Sequence, residues 1–106
     1  MKHYGKLVRD RIPEIIEQAG KSAAWRELSA DEFRIALRAK ILEEAQELVD
    51  APDDALLPEL ADLAEVIDAL LAIYDLTGDN LAAERQRKNA ERGAFTNRVF
   101  LESVSD

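Results

Sequence analysis

Two stretches decide how this chain folds: Leu42-Glu43-Glu44-Ala45-Gln46-Glu47-Leu48-Val49 and Pro58-Glu59-Leu60-Ala61-Asp62-Leu63-Ala64-Glu65-Val66-Ile67. Each carries a carboxylate pair at i, i+3, Glu44 with Glu47 and Glu59 with Asp62. On a helix, residues three apart are neighbours on one face, so like charges there repel. At about 100° per residue, Phe33, Leu37, Ile41 and Leu48 form one apolar stripe. Glu44 projects inside that stripe and Glu47 lies at its edge. On the next helix Leu63, Val66, Leu70, Ile73 and Tyr74 form the stripe. Glu59 projects between Val66 and Leu70, with Asp62 at the margin. Glu65, Asp68 and Asp75 point the other way, as a solvated face does.

Inward carboxylates are costly unless something neutralises them. Only Lys40, near the edge of the first stripe, offers a positive charge. A bound cation is the economical alternative. Oxygen ligands without His or Cys suit Mg²⁺, or Mn²⁺ in its place. The competing reading leaves the four acids reaching solvent at the helix boundaries. The helices also have a second apolar side: Ile35, Leu42 and Val49 on the first, with Leu60, Ile67 and Leu71 broadening the second. Helices apolar on more than one side are buried on more than one side. The pattern predicts a homo-oligomer, a dimer before a tetramer.

Outward from this centre the chain reads as all-α with four helices, one domain over residues 1–106. Asp10 is the expected cap of a first helix over Arg11–Ala19, with Pro13 in its first turn and Gly20 as its stop. Ser29-Ala30-Asp31-Glu32 is a capping-box pattern opening a second helix over Ala30–Asp50, which Pro52 breaks. Asp53 or Asp54 caps the third, which either begins near Asp54 with Pro58 in its first turn or is opened by Pro58 itself; it runs to about Leu76, with Gly78 as its end. Asp79 or Asn80 caps the fourth, Leu81–Arg92, and Gly93 stops it. Short extended segments are expected near Ala23–Leu28 and Ala94–Leu101. Trp25, Phe33, Tyr74 and Phe95 are expected in the core rather than stacked on a ligand.

Composition narrows the function classes. There is no cysteine, and one histidine, His3, so thiolate and His-rich metal sites are excluded. A net charge of -8 disfavours binding to nucleic acid, which needs Lys and Arg against the phosphates. No apolar run is long enough for a membrane span, and Met1–Lys6 has no signal-peptide character. A cytoplasmic protein is the expectation.

Glu44-Ala45-Gln46-Glu47 followed by Glu59-Leu60-Ala61-Asp62 resembles the signature of the MazG-like all-α nucleoside triphosphate pyrophosphohydrolases. Lys6-Leu7-Val8-Arg9-Asp10-Arg11-Ile12-Pro13-Glu14-Ile15 and Glu91-Arg92-Gly93-Ala94-Phe95 resemble the ends of a compact subgroup described as phosphoribosyl-ATP pyrophosphohydrolase-like. The resemblance implies a four-helix MazG-like bundle. It also implies Mg²⁺-dependent cleavage of an NTP or dNTP between the α and β phosphates, giving a monophosphate and pyrophosphate. Glu44, Glu47, Glu59 and Asp62 are then the metal-holding catalytic carboxylates, and Glu43 a weaker candidate. Asp62 is followed by Leu63-Ala64-Glu65-Val66 rather than the Tyr-His of phosphoribosyl-ATP enzymes, which points away from that substrate.

A phosphate substrate also needs cations. Arg85, Lys88 and Arg92 share one face of the fourth helix, and Lys6 and Arg9 precede the first. Lys88 and Arg92 stand first, because they lie in or next to the C-terminal motif. The alternatives are phosphoribosyl-ATP hydrolysis, and an acidic helical interaction module with no chemistry.

Overall fold

The structure is a computed structural model that describes residues 5–105; Met1–Tyr4, with His3 among them, and Asp106 lie outside the description. The all-α, four-helix expectation holds: α1 is Ile12–Gln18, α2 Ala30–Asp50, α3 Leu56–Ile73 and α4 Gly78–Arg92. No strand forms among the described residues, so Ala23–Leu28 and Ala94–Leu101 are chain without sheet partners. The chain divides into two compact units, one ending at Asp75 and the other beginning at Leu76.

In the first unit, α2 has the predicted bounds, and the capping box explains its start. Ser29 Oγ accepts from the Glu32 amide at 3.2 Å, while the Glu32 carboxylate accepts from the Ser29 amide at 3.0 Å. Two orphan donors are thereby satisfied by each other's residues. Arg26 grips the same carboxylate at 2.8 and 3.2 Å. That contact first, and the Ser29 amide second, pull the Glu32 carboxyl down to about 2. A depressed carboxyl stabilises the fold above its unfolded value, and that stability drains away as pH falls through the folded value. Glu32→Gln keeps a cap acceptor but loses the charge. It should melt below the wild type at pH 7, with the gap closing between about pH 4.5 and 2. Thermal melts of both proteins across that range read the result.

A 3-10 turn, Asp53–Ala55, joins α2 to α3 after Pro52. Pro58 sits in the first turn of α3, where its missing amide costs nothing. The short connection makes α2 and α3 an antiparallel hairpin, the packed pair at the heart of this unit. At one end Arg38 donates to the Tyr74 hydroxyl at 3.1 Å, and Arg34 and Arg38 lie 5.5 and 5.8 Å from the centre of its ring. Leu37, 2% exposed, is the fully buried apolar side chain among the described residues.

Several local expectations are corrected. Asp10 does not cap α1; Arg11 holds the N-cap position, with no side-chain hydrogen bond. Gly78 does not end α3. The chain turns at Asp75, in the left-handed region at φ 58°, and Gly78 is instead the first residue of α4. Thr77, not Asp79 or Asn80, caps α4, with Asn80 closing the box from the third position. Trp25, Tyr74 and Phe95 are exposed rather than core. No helix among the described residues is long and apolar enough to cross a membrane.

The second unit is α4 and the segment after it. Gly93, at φ 82°, lets the chain leave the helix in a conformation other residues resist. Arg87 bonds Glu84 and Glu91 along the helix, a surface ladder at i−3 and i+4.

Candidate metal centre

The hairpin brings the predicted carboxylates together from the residues upward. Glu44 lies on the face of α2 that meets α3, one turn from Lys40 and two from Leu37. Antiparallel pairing sets it opposite the first two turns of α3, where Glu59 and Asp62 lie one above the other. Glu44, Glu59 and Asp62 each present an oxygen, all within 4.8 Å of one another. Glu43, Glu44 and Glu47 form a second such group. Glu44 belongs to both, so the four predicted ligands form one cluster about it, with Glu43 added.

Burial separates the members. Glu44 is only 7% exposed, Glu59 and Asp62 are half-buried, and Glu47 is exposed at the rim. Glu44 Oε2 and Glu59 Oε2 are fully buried, with no hydrogen-bond partner among the described residues. A buried oxygen left unpaired costs about 1–3 kcal/mol, and more when charged. Two of them from neighbouring helices beside Asp62 are acceptors without donors. Hard carboxylate oxygens so placed fit a Mg²⁺ or Mn²⁺ ion.

Cations already meet the cluster's edges. Lys40, on α2 and 15% exposed, lies 3.3 Å from both Glu43 Oε1 and Glu44 Oε1. Burial would lower its pKa, but the two carboxylates outweigh burial and raise it. Glu43 is the mirror case: burial pushes it up, and Lys40 and then Lys6 pull it down further. Lys6 reaches Glu43 at 3.4 Å. Arg9 donates to Asp62 Oδ1 at 2.7 Å. Glu47 is held above the usual carboxylate range, first because its carboxyl lies against that of Glu44, then by that group's charge, by burial, and by Glu59 and Glu43.

The predicted site residues therefore fall into three places. Glu44, Glu47, Glu59 and Asp62 converge. Lys6 and Arg9 bond acids of that cluster. Arg85, Lys88 and Arg92 are exposed on α4 in the second unit. The sequence marks Lys40 only as the cation at the stripe's edge; its spacing of three and four from Glu43 and Glu44 is the signal that places it in the cluster.

Comparison with known proteins adds one relative. Over 53 residues the chain is 51% identical to an uncharacterised protein of Mycolicibacterium smegmatis, covering 48% of this chain. The match spans 54% of that relative's length, about half. No family model and no solved structure matches the chain.

Proposed function

We propose that this chain is a Mg²⁺-dependent nucleotide pyrophosphohydrolase of the MazG-like kind, cleaving an NTP or dNTP between its α and β phosphates. The observation that carries the reading is the buried oxygen pair of Glu44 and Glu59, unpartnered among the described residues and set beside Asp62. The Glu-x-x-Glu and Glu-x-x-Asp resemblance gives that pair its chemistry.

In this reading Glu44, Glu59 and Asp62 hold the ion, with Mn²⁺ able to substitute. When bound there, Mg²⁺ supplies positive charge to phosphate oxygens and lowers the pKa of a coordinated water. Glu44 is fixed by its burial and by Lys40, which keeps the ligand geometry set before substrate arrives. Glu47, the exposed member, is the carboxylate free to orient the attacking water and take its proton. Lys6 and Arg9, at the cluster's edge, face phosphate charge. The phosphate role of Arg85, Lys88 and Arg92 rests on the resemblance alone.

The reading extends to a homo-oligomer, because Ile35, Leu42 and Val49 stand 72%, 73% and 77% exposed along the outer side of α2.

Phosphorus NMR of the products from a panel of NTPs, dNTPs and phosphoribosyl-ATP, with and without Mg²⁺, tests the reaction. Metal-dependent release of pyrophosphate is the expected result. Orthophosphate would keep a metal hydrolase and reject α–β cleavage. No turnover, together with no thermal stabilisation by Mg²⁺ or Mn²⁺, would leave an acidic helical interaction module.

A further inference from the structure

We propose that Arg9 and a divalent cation compete for the Asp62 carboxylate, so that filling the Glu44–Glu59–Asp62 cluster frees Arg9 for an anionic substrate. The inference rests on the metal-centre reading above and deepens it.

Arg9 precedes α1, in a stretch with no regular element from Gly5 to Arg9. Two side chains tie this stretch to the hairpin: Lys6 to Glu43 on α2 at 3.4 Å, and Arg9 to Asp62 on α3 at 2.7 Å. Asp62 is one of the groups that would hold the ion, and Glu43 stands next to Glu44 on α2, so the segment is strapped across the helices beside the ligand set. Between strap and helix lies an open groove of about 170 Å³, lined by Gly5, Lys6, Leu7, Ala36, Lys40 and Glu43 among others. The strap is therefore not packed flush on α2 along its length.

The two cations near the ligand set differ in freedom. Lys40 is 15% exposed, sits on a helix, and bridges two carboxylates. The Arg9 side chain is 58% exposed and pairs with one carboxylate among the described residues, that of Asp62, itself 41% exposed. An exposed pair of this kind is weak, since water replaces it readily. A doubly charged ion on the same carboxylate repels the guanidinium twice as strongly as a unit charge would. Arg9, not Lys40, is the cation that yields.

Arg9 also has somewhere to go. Glu65 lies three residues after Asp62 on α3, exposed, and close enough for its charge to raise the Arg9 pKa. A guanidinium released beside the cluster is equally the right group for a phosphate, which it can bind through two parallel N–H bonds. Arg9 would thus reach substrate phosphate only after the carboxylates are filled.

Calorimetric titration of the full chain with Mn²⁺ tests the competition, using wild type, Arg9→Ala and Arg11→Ala. Arg11 carries the same charge in the same stretch but pairs with Glu14. The proposal expects Arg9→Ala to bind Mn²⁺ about fivefold more tightly than wild type, with Arg11→Ala within about twofold. It also expects the Arg9 guanidinium NMR signal, assigned by its loss in Arg9→Lys, to move away from its Asp62-bonded position as Mg²⁺ saturates the wild type. Equal or weaker binding by Arg9→Ala overturns the exchange, as does an equal gain in Arg11→Ala or an unmoved Arg9 signal. Those failures leave the metal centre standing if Glu44→Gln still abolishes Mn²⁺ binding. Absence of Mn²⁺ binding in the wild type overturns both.

Discussion

Glu44→Gln should abolish Mg²⁺-dependent pyrophosphate release and at the same time raise the melting temperature in EDTA. The two effects share one cause. Glu44 is the carboxylate common to both acidic groups, and its Oε2 is buried without a partner among the described residues. Several kcal/mol of transition-state stabilisation rest on a catalytic ion, and each 1.36 kcal/mol is tenfold in rate. Removing the central ligand should therefore cost roughly a thousandfold or more in kcat/KM. The fold responds in the opposite direction. An uncharged amide relieves repulsion with Glu47 and Glu59, and Lys40 keeps Glu43 as its partner. Each kcal/mol so gained is worth about 4–8 °C in a domain of this size.

Added Mg²⁺ should then reverse the order. The wild type should gain stability by mass action as an ion fills the cluster. Glu44→Gln, without the carboxylate at the centre of the cluster, should gain none. Melting curves of both proteins in EDTA and in millimolar Mg²⁺, beside the phosphorus NMR assay, give four temperatures and two rates. A variant that kept its activity would remove Glu44 from the metal centre. A variant that melted lower in EDTA would show that the carboxylate is held by contacts that favour its charge, and the case for strain relieved by a cation would fall.

The inward acids were legible because helical periodicity is a local property. Placing Glu44 inside the Phe33–Leu37–Ile41–Leu48 stripe requires only a count along α2, whose start the capping box fixes and whose end Pro52 fixes. Long-range partners are not written that way. Arg9 and Asp62 lie 53 residues apart, and nothing near either residue announces the other. Lys40 was visible but undervalued, because a helical wheel places Cβ atoms and not the reach of a four-carbon stem. At Gly78 the same residue type serves opposite purposes: a glycine after an apolar run reads as a stop, yet Thr77 and Asn80 make it the first turn of α4. The aromatic residues failed for another reason. Trp25 and Phe95 lie outside the helices, where no periodicity assigns a side chain to an inner face.

The second large effect is expected on the outer side of α2. Leu42→Glu should convert a dimer or larger assembly to an 11.9 kDa monomer and lower its melting temperature. Ile35, Leu42 and Val49 repeat at seven residues, the spacing that keeps one seam on a partner helix. They lie opposite the Phe33–Leu37–Glu44 face, so a partner there leaves the carboxylate cluster uncovered. Ala39 and Ala45 flank Leu42, and their small side chains let a second backbone come close. A second copy would fit there: a two-fold axis at Leu42 would set Ile35 of one chain against Val49 of the other, a self-complementary stripe. The hairpin has reason to seek that cover, since its two long helices fully bury one apolar side chain, Leu37, among the described residues. A charge at the centre of the seam would be buried against its own copy, and like charges taken from water together are strongly disfavoured. Light scattering of wild type and Leu42→Glu at micromolar concentration reads the mass directly. A wild type already at monomer mass would leave the stripe without this role, and unchanged mass in the variant would move the interface to another face.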